Sequence, residues 1–182
     1  MSAPAELREL LLSRITDIPD HPQPGVVFKD ITPLLADPAA FGALTEAFAE
    51  LCGRHRVDKI VGLEARGFIL AAPVAVRAGV GFVPVRKAGK LPGTTLGQAY
   101  ELEYGTAEIE IHADALAPGD RVLVIDDVLA TGGTADASLQ LIRRAGAEVA
   151  GLAVLLELGF LAGRQRLEPG LKGAPLEALL TV

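Results

Sequence analysis

The sequence predicts an α/β fold, a mainly parallel central sheet flanked by helices. Three observations carry that expectation. Short apolar runs at 59–63, 121–126 and 148–156 read as strands buried on both faces. Stretches with helical spacing separate them. Between Val122 and Ser138 a β-branched run passes through Thr-Gly-Gly-Thr straight into a helical pattern. In sheets of this kind, ligands bind beyond the strand C-termini.

The elements follow in order. Leu7, Leu10, Leu11 and Ile15 recur at helical spacing over residues 6–15. An irregular segment comes next. Asp37 is a good N-cap with Pro38 at the first helical position, and Phe41, Leu44, Phe48 and Leu51 then share one face. Residues 59–63 read as a strand, 68–77 as a helix and 81–86 as a strand. Residues 99–112 read as two short strands about Gly105. A strand over 121–126 ends at Asp126 and Asp127, a helix covers 134–145, and a last strand covers 148–156. Arg143, Arg144 and Gly146 suit the helix C-terminus.

At 182 residues the chain 1–182 suits one domain, and half of its residues are hydrophobic. There is no membrane-length apolar run, and the opening Met-Ser-Ala-Pro-Ala-Glu has no signal-peptide pattern, so a cytoplasmic protein is expected. The single cysteine, Cys52, excludes an internal disulfide and reads as buried filler. His21, His55 and His112 lack metal spacing. A net charge of −6 argues against nucleic acid as a partner. Against that acidic background, Arg86, Lys87 and Lys90 cluster within five residues, which suits a small, highly charged anion.

The stretch after the 121–126 strand carries the chemistry. A turn opening a helix presents free backbone N–H groups and a positive dipole end to an anion. Gly132 and Gly133 allow close approach, and the hydroxyls of Thr131 and Thr134 can donate to phosphate oxygens. Asp126 and Asp127 are wrong for phosphate but right for sugar hydroxyls. The combination points to a ribose 5-phosphate. Neither a nucleoside triphosphatase P-loop nor a dinucleotide fingerprint fits. Both acids reach one ribose only if the strand bends there.

This stretch resembles the phosphoribosyl pyrophosphate (PRPP) motif of the type I phosphoribosyltransferases. Four other blocks resemble the adenine-using branch of that family: Pro24 to Pro33, Gly62 to Phe68, Val85 to Gly93 and Leu102 to Gly105. The resemblance implies a type I phosphoribosyltransferase-like fold with a mobile flap over about 91–105 and a base-recognition segment over about 1–35. It implies transfer of the phosphoribosyl group from PRPP to adenine, with AMP and pyrophosphate as products. Ala130, Thr131, Gly132, Gly133 and Thr134 would wrap the 5-phosphate, and Asp126 and Asp127 would take the ribose. Arg66 would sit in a pyrophosphate loop with a cis peptide between Glu64 and Ala65. Arg86, Lys87 and Lys90 would reach pyrophosphate, in relatives that of a neighbouring subunit, which implies a homodimer. Glu103 would handle the adenine N7 proton, and Tyr104 would order the flap. Val27, Phe28 and Lys29 would meet adenine, with Leu158 across the pocket; many relatives carry Arg in place of Lys29. Mg2+ would arrive with pyrophosphate, without a protein metal cage. A phosphoribosyltransferase for another purine and a non-catalytic PRPP-sensing module are the alternatives.

Overall fold

The computed structural model describes residues 4–101 and 105–182. Helix α1 (Ala5–Leu12) buries Leu11 and stops short of the expected Ile15. Ser13 turns its hydroxyl back onto the Leu10 carbonyl, a local bond that competes with helix continuation. The segment expected to be irregular contains an antiparallel ribbon, β1 (Thr16–Ile18) with β2 (Phe28–Asp30). Three-residue strands are too short to show a period. Lys29 Nζ grips the Asp17 carboxylate directly across the ribbon, at 2.7 and 2.8 Å. A short helix α2 (Thr32–Ala36) leads to α3 (Pro38–His55). There Asp37 caps as expected, accepting from the N–H groups of Ala39 and Ala40 at 2.9 and 3.1 Å.

The remaining elements are β3 (Lys59–Leu63), α4 (Arg66–Ala78), β4 (Gly81–Lys87), β5 (Thr95–Glu101), β6 (Thr106–His112), β7 (Arg121–Leu129), α5 (Gly133–Arg144), β8 (Glu148–Glu157), a 3-10 turn (Gly159–Leu161), α6 (Gly163–Leu171) and β9 (Leu176–Thr181). Seven strands form one sheet in the order β5-β6-β4-β3-β7-β8-β9. The five from β4 to β9 run parallel, and β5 and β6 form an antiparallel edge.

Alternation along the strands divides the core in two. Ile60, Leu123 and Ile125 face α1, α3 and α4 with Phe48, Leu70 and Val74. Val61, Val122 and Val124 face α5 and α6 with Leu139, Ile142 and Leu167. Cys52 is buried on α3, where desolvation pushes its thiol up to about 11, so it packs as a small apolar group.

Three features differ from the sequence expectation. β7 does not end at the acids but runs through Asp126 and Asp127 to Leu129, because β8 keeps pairing with it as far as Glu157. β5 begins at Thr95, four residues before the expected start, since its Gly97 and Gln98 broke the apolar pattern. The C-terminal α6 and β9 were not anticipated, because α6 is polar and carries Pro169 and two glycines.

Candidate active site

β3 stops at Leu63 while its neighbour β7 continues, so the C-terminal edge of the sheet has a step. The loop Ala130 to Thr134 curls above that step and starts α5. A cavity of about 700 Å³ opens there, walled by the loop, Asp126, Glu101 and Arg166. Gly132 sits at φ +81°, and no side chain caps α5. Its first N–H groups are thus open to an anion. Close packing fixes the loop from behind. A side chain on Gly163 would collide with the Ala130 carbonyl oxygen, and one on Gly132 would press on the Gly163 oxygen at 3.0 Å.

The adjacent acids serve different neighbours. Asp127 is buried and its Oδ2 meets Arg66 Nε at 2.5 Å. Asp126 lines the cavity with its carboxyl recessed against Gly67. Its Oδ1 accepts the Asp127 backbone N–H at 2.9 Å. Burial first, and the neighbouring Asp127 charge second, push Asp126 well above the ordinary carboxylate range. The two carboxyls therefore interact although β7 continues through them.

Arg66 opens α4, which, like α5, has no side-chain cap. The peptide before it, Glu64-Ala65, is cis, as the resemblance implied. Arg66 also lies over the Phe28 ring, 4.9 Å from its centroid, so it joins the β1–β2 ribbon to the β7 acids. The rings of Phe28 and His21, the latter in the connection between β1 and β2, meet edge to face at 5.1 Å. Val27 is half exposed beside it. Lys29 spends its ammonium on Asp17, its partner across the ribbon. Leu158 follows β8, and its N–H bonds the Leu129 carbonyl at 2.9 Å, so it stands beside the C-terminal end of β7.

The basic cluster lies at the end of β4 and in the turn after it. Glu64 organises it by accepting from Arg86 Nε and Nη2 at 3.3 Å each, and from the Lys87 N–H at 2.9 Å. Burial raises Glu64, but the Lys87 N–H and the Arg86 and Lys90 charges outweigh it and hold the group below its ordinary value. Glu110 anchors the turn from β6 by accepting from the Lys90 and Leu91 N–H groups at 3.1 and 3.0 Å. Glu103 and Tyr104 lie outside the described residues. Among those described, no group of three or more His, Cys, Asp or Glu is set to hold a metal.

Comparison with known proteins gives this geometry a family. The phosphoribosyl transferase domain matches residues 30–172. The chain belongs to the phosphoribosyltransferase family. The adenine phosphoribosyltransferase of Streptomyces coelicolor is 76% identical over 182 residues, the whole of both chains. The crystal structure of adenine phosphoribosyltransferase from Rhodothermus marinus superposes with a TM-score of 0.91 at 49% identity, covering 98% of this chain and 100% of that one. The Saccharomyces cerevisiae enzyme, complexed with adenine and an imino-altritol bisphosphate, superposes at 0.90 with 39% identity, covering 97% and 100%. The chain thus falls in the adenine branch of the family, as the blocks read in the sequence implied.

Several side chains at the phosphoribosyltransferase site escaped the sequence reading. Glu64 lies in the expected pyrophosphate loop, but its grip on Arg86 and Lys87 shows only once β3 and β4 lie side by side, and Glu110 has no motif of its own. Tyr100 places its hydroxyl 3.2 Å from Thr134 Oγ1, tying β5 to the start of α5. Its only sequence signal was its place inside the expected flap over about 91–105. Arg166 comes from α6, which the sequence did not reveal as a helix.

Proposed function

We infer that this chain transfers the 5-phosphoribosyl group of PRPP to adenine, giving AMP and pyrophosphate in purine salvage. The observation that carries the reading is the paired arrangement of two uncapped helix N-termini, α4 and α5, on either side of the acids of β7. The ligand has an anion at each end of a ribose, and the site has an anion cradle at each end of a diol-binding pair.

The bonding changes follow from the substrates. Adenine N9 gives its lone pair to the anomeric carbon, the bond from that carbon to pyrophosphate oxygen breaks, and the electron pair leaves with pyrophosphate. The N7 proton is released. The anomeric carbon passes through an oxocarbenium-like state, so departing charge must be stabilised.

We assign the 5-phosphate to Ala130–Thr134, the ribose hydroxyls to Asp126 and Asp127, and the pyrophosphate to the start of α4 with Arg66, Arg86, Lys87 and Lys90. The recessed Asp126 carboxyl, which burial pushes above the ordinary carboxylate range, can accept from a sugar hydroxyl. Arg66 keeps its terminal nitrogens for pyrophosphate while Nε holds Asp127. Adenine is assigned to Val27, Phe28, the Lys29 main chain and Leu158, and the N7 proton to Glu103, with Tyr104 ordering the flap about 91–105. Magnesium fits the donor chemistry: it takes oxygen ligands and retains water, so diphosphate and ribose oxygens suffice. It would neutralise charge on the leaving group.

The reading further includes a single domain over 1–182, with residues 1–35 as base-recognition segment, and a cytoplasmic homodimer. What supports the dimer is an apolar stripe along α4 and β4, where Ile69, Val76 and Phe82 are 45%, 84% and 36% exposed. No described helix is long and apolar enough to cross a membrane.

The test is AMP formation from PRPP and Mg2+ with adenine, hypoxanthine or guanine offered separately. Turnover with adenine alone is expected. Tight PRPP binding with no turnover of any base would overturn the reading in favour of a sensing module.

A further inference from the structure

A phosphate monoester carries between one and a half and two negative charges at neutral pH, with a second pKa of about 6. The loop that would receive it holds no cation. Ala130, Thr131, Gly132, Gly133 and Thr134 offer only neutral donors, and apart from Arg166 the ionisable groups that line the cavity are acids. Glu101 and Asp126 line the same cavity, and Asp136 sits in the first turn of α5. A dianion bound by N–H dipoles alone, with three acids nearby, lacks a full positive charge.

Arg166 is the one basic side chain among the described residues that line this cavity. Its guanidinium stands over Gly133, with Nη1 and Nη2 3.7 Å from where a Cβ would project. Its own helix shows that this is not a generic surface arginine. Arg164, two residues earlier, binds the Glu157 carboxylate through Nε at 2.8 Å and Nη2 at 2.5 Å. The Arg166 guanidinium has no carboxylate or hydrogen-bond partner among the described residues, although the ones at 66, 86, 121 and 164 each hold an acid.

The position of α6 is fixed by packing. Gly163 lies directly against the Ala130 carbonyl, Leu167 is fully buried under Gly132, and Gly170 abuts Asp136, whose Oδ1 would lie 2.7 Å from an added Cβ. These contacts hold the helix against the phosphate loop along its length and bring position 166 over Gly133.

We propose that Arg166 is a binding residue for the 5-phosphate, closing the loop from the α6 side and supplying the cation it lacks. This rests on the assignment of the cavity under Proposed function. A guanidinium suits the task because its planar fork matches two phosphate oxygens at once. Its role belongs to the ribose 5-phosphate end alone, so it should tighten PRPP, AMP and ribose 5-phosphate while leaving pyrophosphate and adenine untouched.

The experiment is calorimetric titration of ribose 5-phosphate and, separately, of inorganic pyrophosphate with Mg2+. The proteins are the full chain, Arg166→Gln, Arg166→Lys and the neighbouring control Gln165→Ala. Loss of a charge-assisted contact predicts ribose 5-phosphate binding about 10- to 100-fold weaker in Arg166→Gln. Arg166→Lys should recover much of it, and Gln165→Ala should match the parent. Pyrophosphate binding should stay within about twofold throughout, and the Arg166→Gln deficit should shrink at high salt. Ribose 5-phosphate affinity unchanged in Arg166→Gln overturns the proposal, and so does an equal loss for both ligands, which would mean general distortion. If the parent makes AMP while Arg166→Gln binds ribose 5-phosphate equally well, only this inference fails. If the parent neither binds ribose 5-phosphate nor makes AMP, the functional reading fails with it.

Discussion

The starts of α4 and α5 face the same edge of the sheet and both lack a side-chain cap, whereas α3 is capped by Asp37. They are built differently. The start of α5 is rigid backbone: glycines, hydroxyls and close contact with α6. The start of α4 is a set of side-chain ion pairs, Arg66 with Asp127 and Arg86 with Glu64. The difference matches the proposed chemistry. The 5-phosphate keeps its charge throughout the reaction, so a fixed cradle serves it. The pyrophosphate gains charge as it departs, so cations on adjustable stems serve it better.

The sharpest break in this comparison is Gly163→Ala. Its methyl group would strike the Ala130 carbonyl and push the phosphate loop off position. Misplacing a cradle by about 1 Å costs on the order of 100-fold in rate. We expect kcat/KM for PRPP to fall by about that factor while pyrophosphate affinity holds, with overpacking costing about 1–3 kcal/mol in denaturant unfolding. A variant that loses both affinities equally would show that the two cradles are not independent.

On the α4 side the matching variant is Glu64→Gln. It removes the charge that positions Arg86 and weakens the acceptor of the Lys87 N–H. Steady-state assays should show kcat about 10-fold lower, with ribose 5-phosphate affinity unchanged. Loss of ribose 5-phosphate binding instead would place Glu64 in the wrong half of the site.

The same contrast explains what the sequence made legible. The α5 cradle is contiguous, Val122 to Thr134 in one stretch, so strand, acids, turn and helix start were all read from it. The α4 side is assembled from residues 64, 86, 90 and 110; the basic members and the peptide after Glu64 drew notice, but the carboxylates' part in holding the cluster did not. Glu110 looked like any polar residue on a half-buried strand. It is its register against β5 and the turn after β4 that makes it an anchor. The ribbon that carries Phe28 was missed because three-residue strands have no period, and α6 because Pro169, Gly163 and Gly170 read as loop. Parallel strands buried on both faces, by contrast, stood out as apolar runs.

Asp126 sharpens the comparison through stability. Its folded-state pKa is raised, so its proton is held more tightly in the native chain than in the unfolded one. The stabilisation this gives is fully present below the unfolded pKa and is lost as pH rises through the folded one. At neutral pH any ionised Asp126 is a cost. Asp126→Asn should therefore melt about 2–4 °C higher than the parent at neutral pH, a gain that vanishes near pH 4, while AMP formation declines. Thermal scans at the two pH values check it, and a lower melting temperature at neutral pH would mean that the carboxylate is stabilised by the site.

The smallest expected effect tests whether the flap strand and the phosphate cradle communicate. Tyr100 on β5 and Thr134 at the start of α5 bring their hydroxyls within 3.2 Å. If the Thr134 hydroxyl donates to a phosphate oxygen, Tyr100 must be the donor to Thr134 Oγ1, and the pair becomes a relay that orients Thr134. One neutral hydrogen bond predicts a rise of about 2- to 5-fold in KM for PRPP in Tyr100→Phe, with KM for adenine unmoved. The decisive measurement is the double-mutant cycle. In a Thr134→Ala background the phenol has nothing to orient, so Tyr100→Phe should add no further loss. Full additivity would mean that β5 reaches the cradle by packing alone, and the rigid α5 side would then stand independent of the flap.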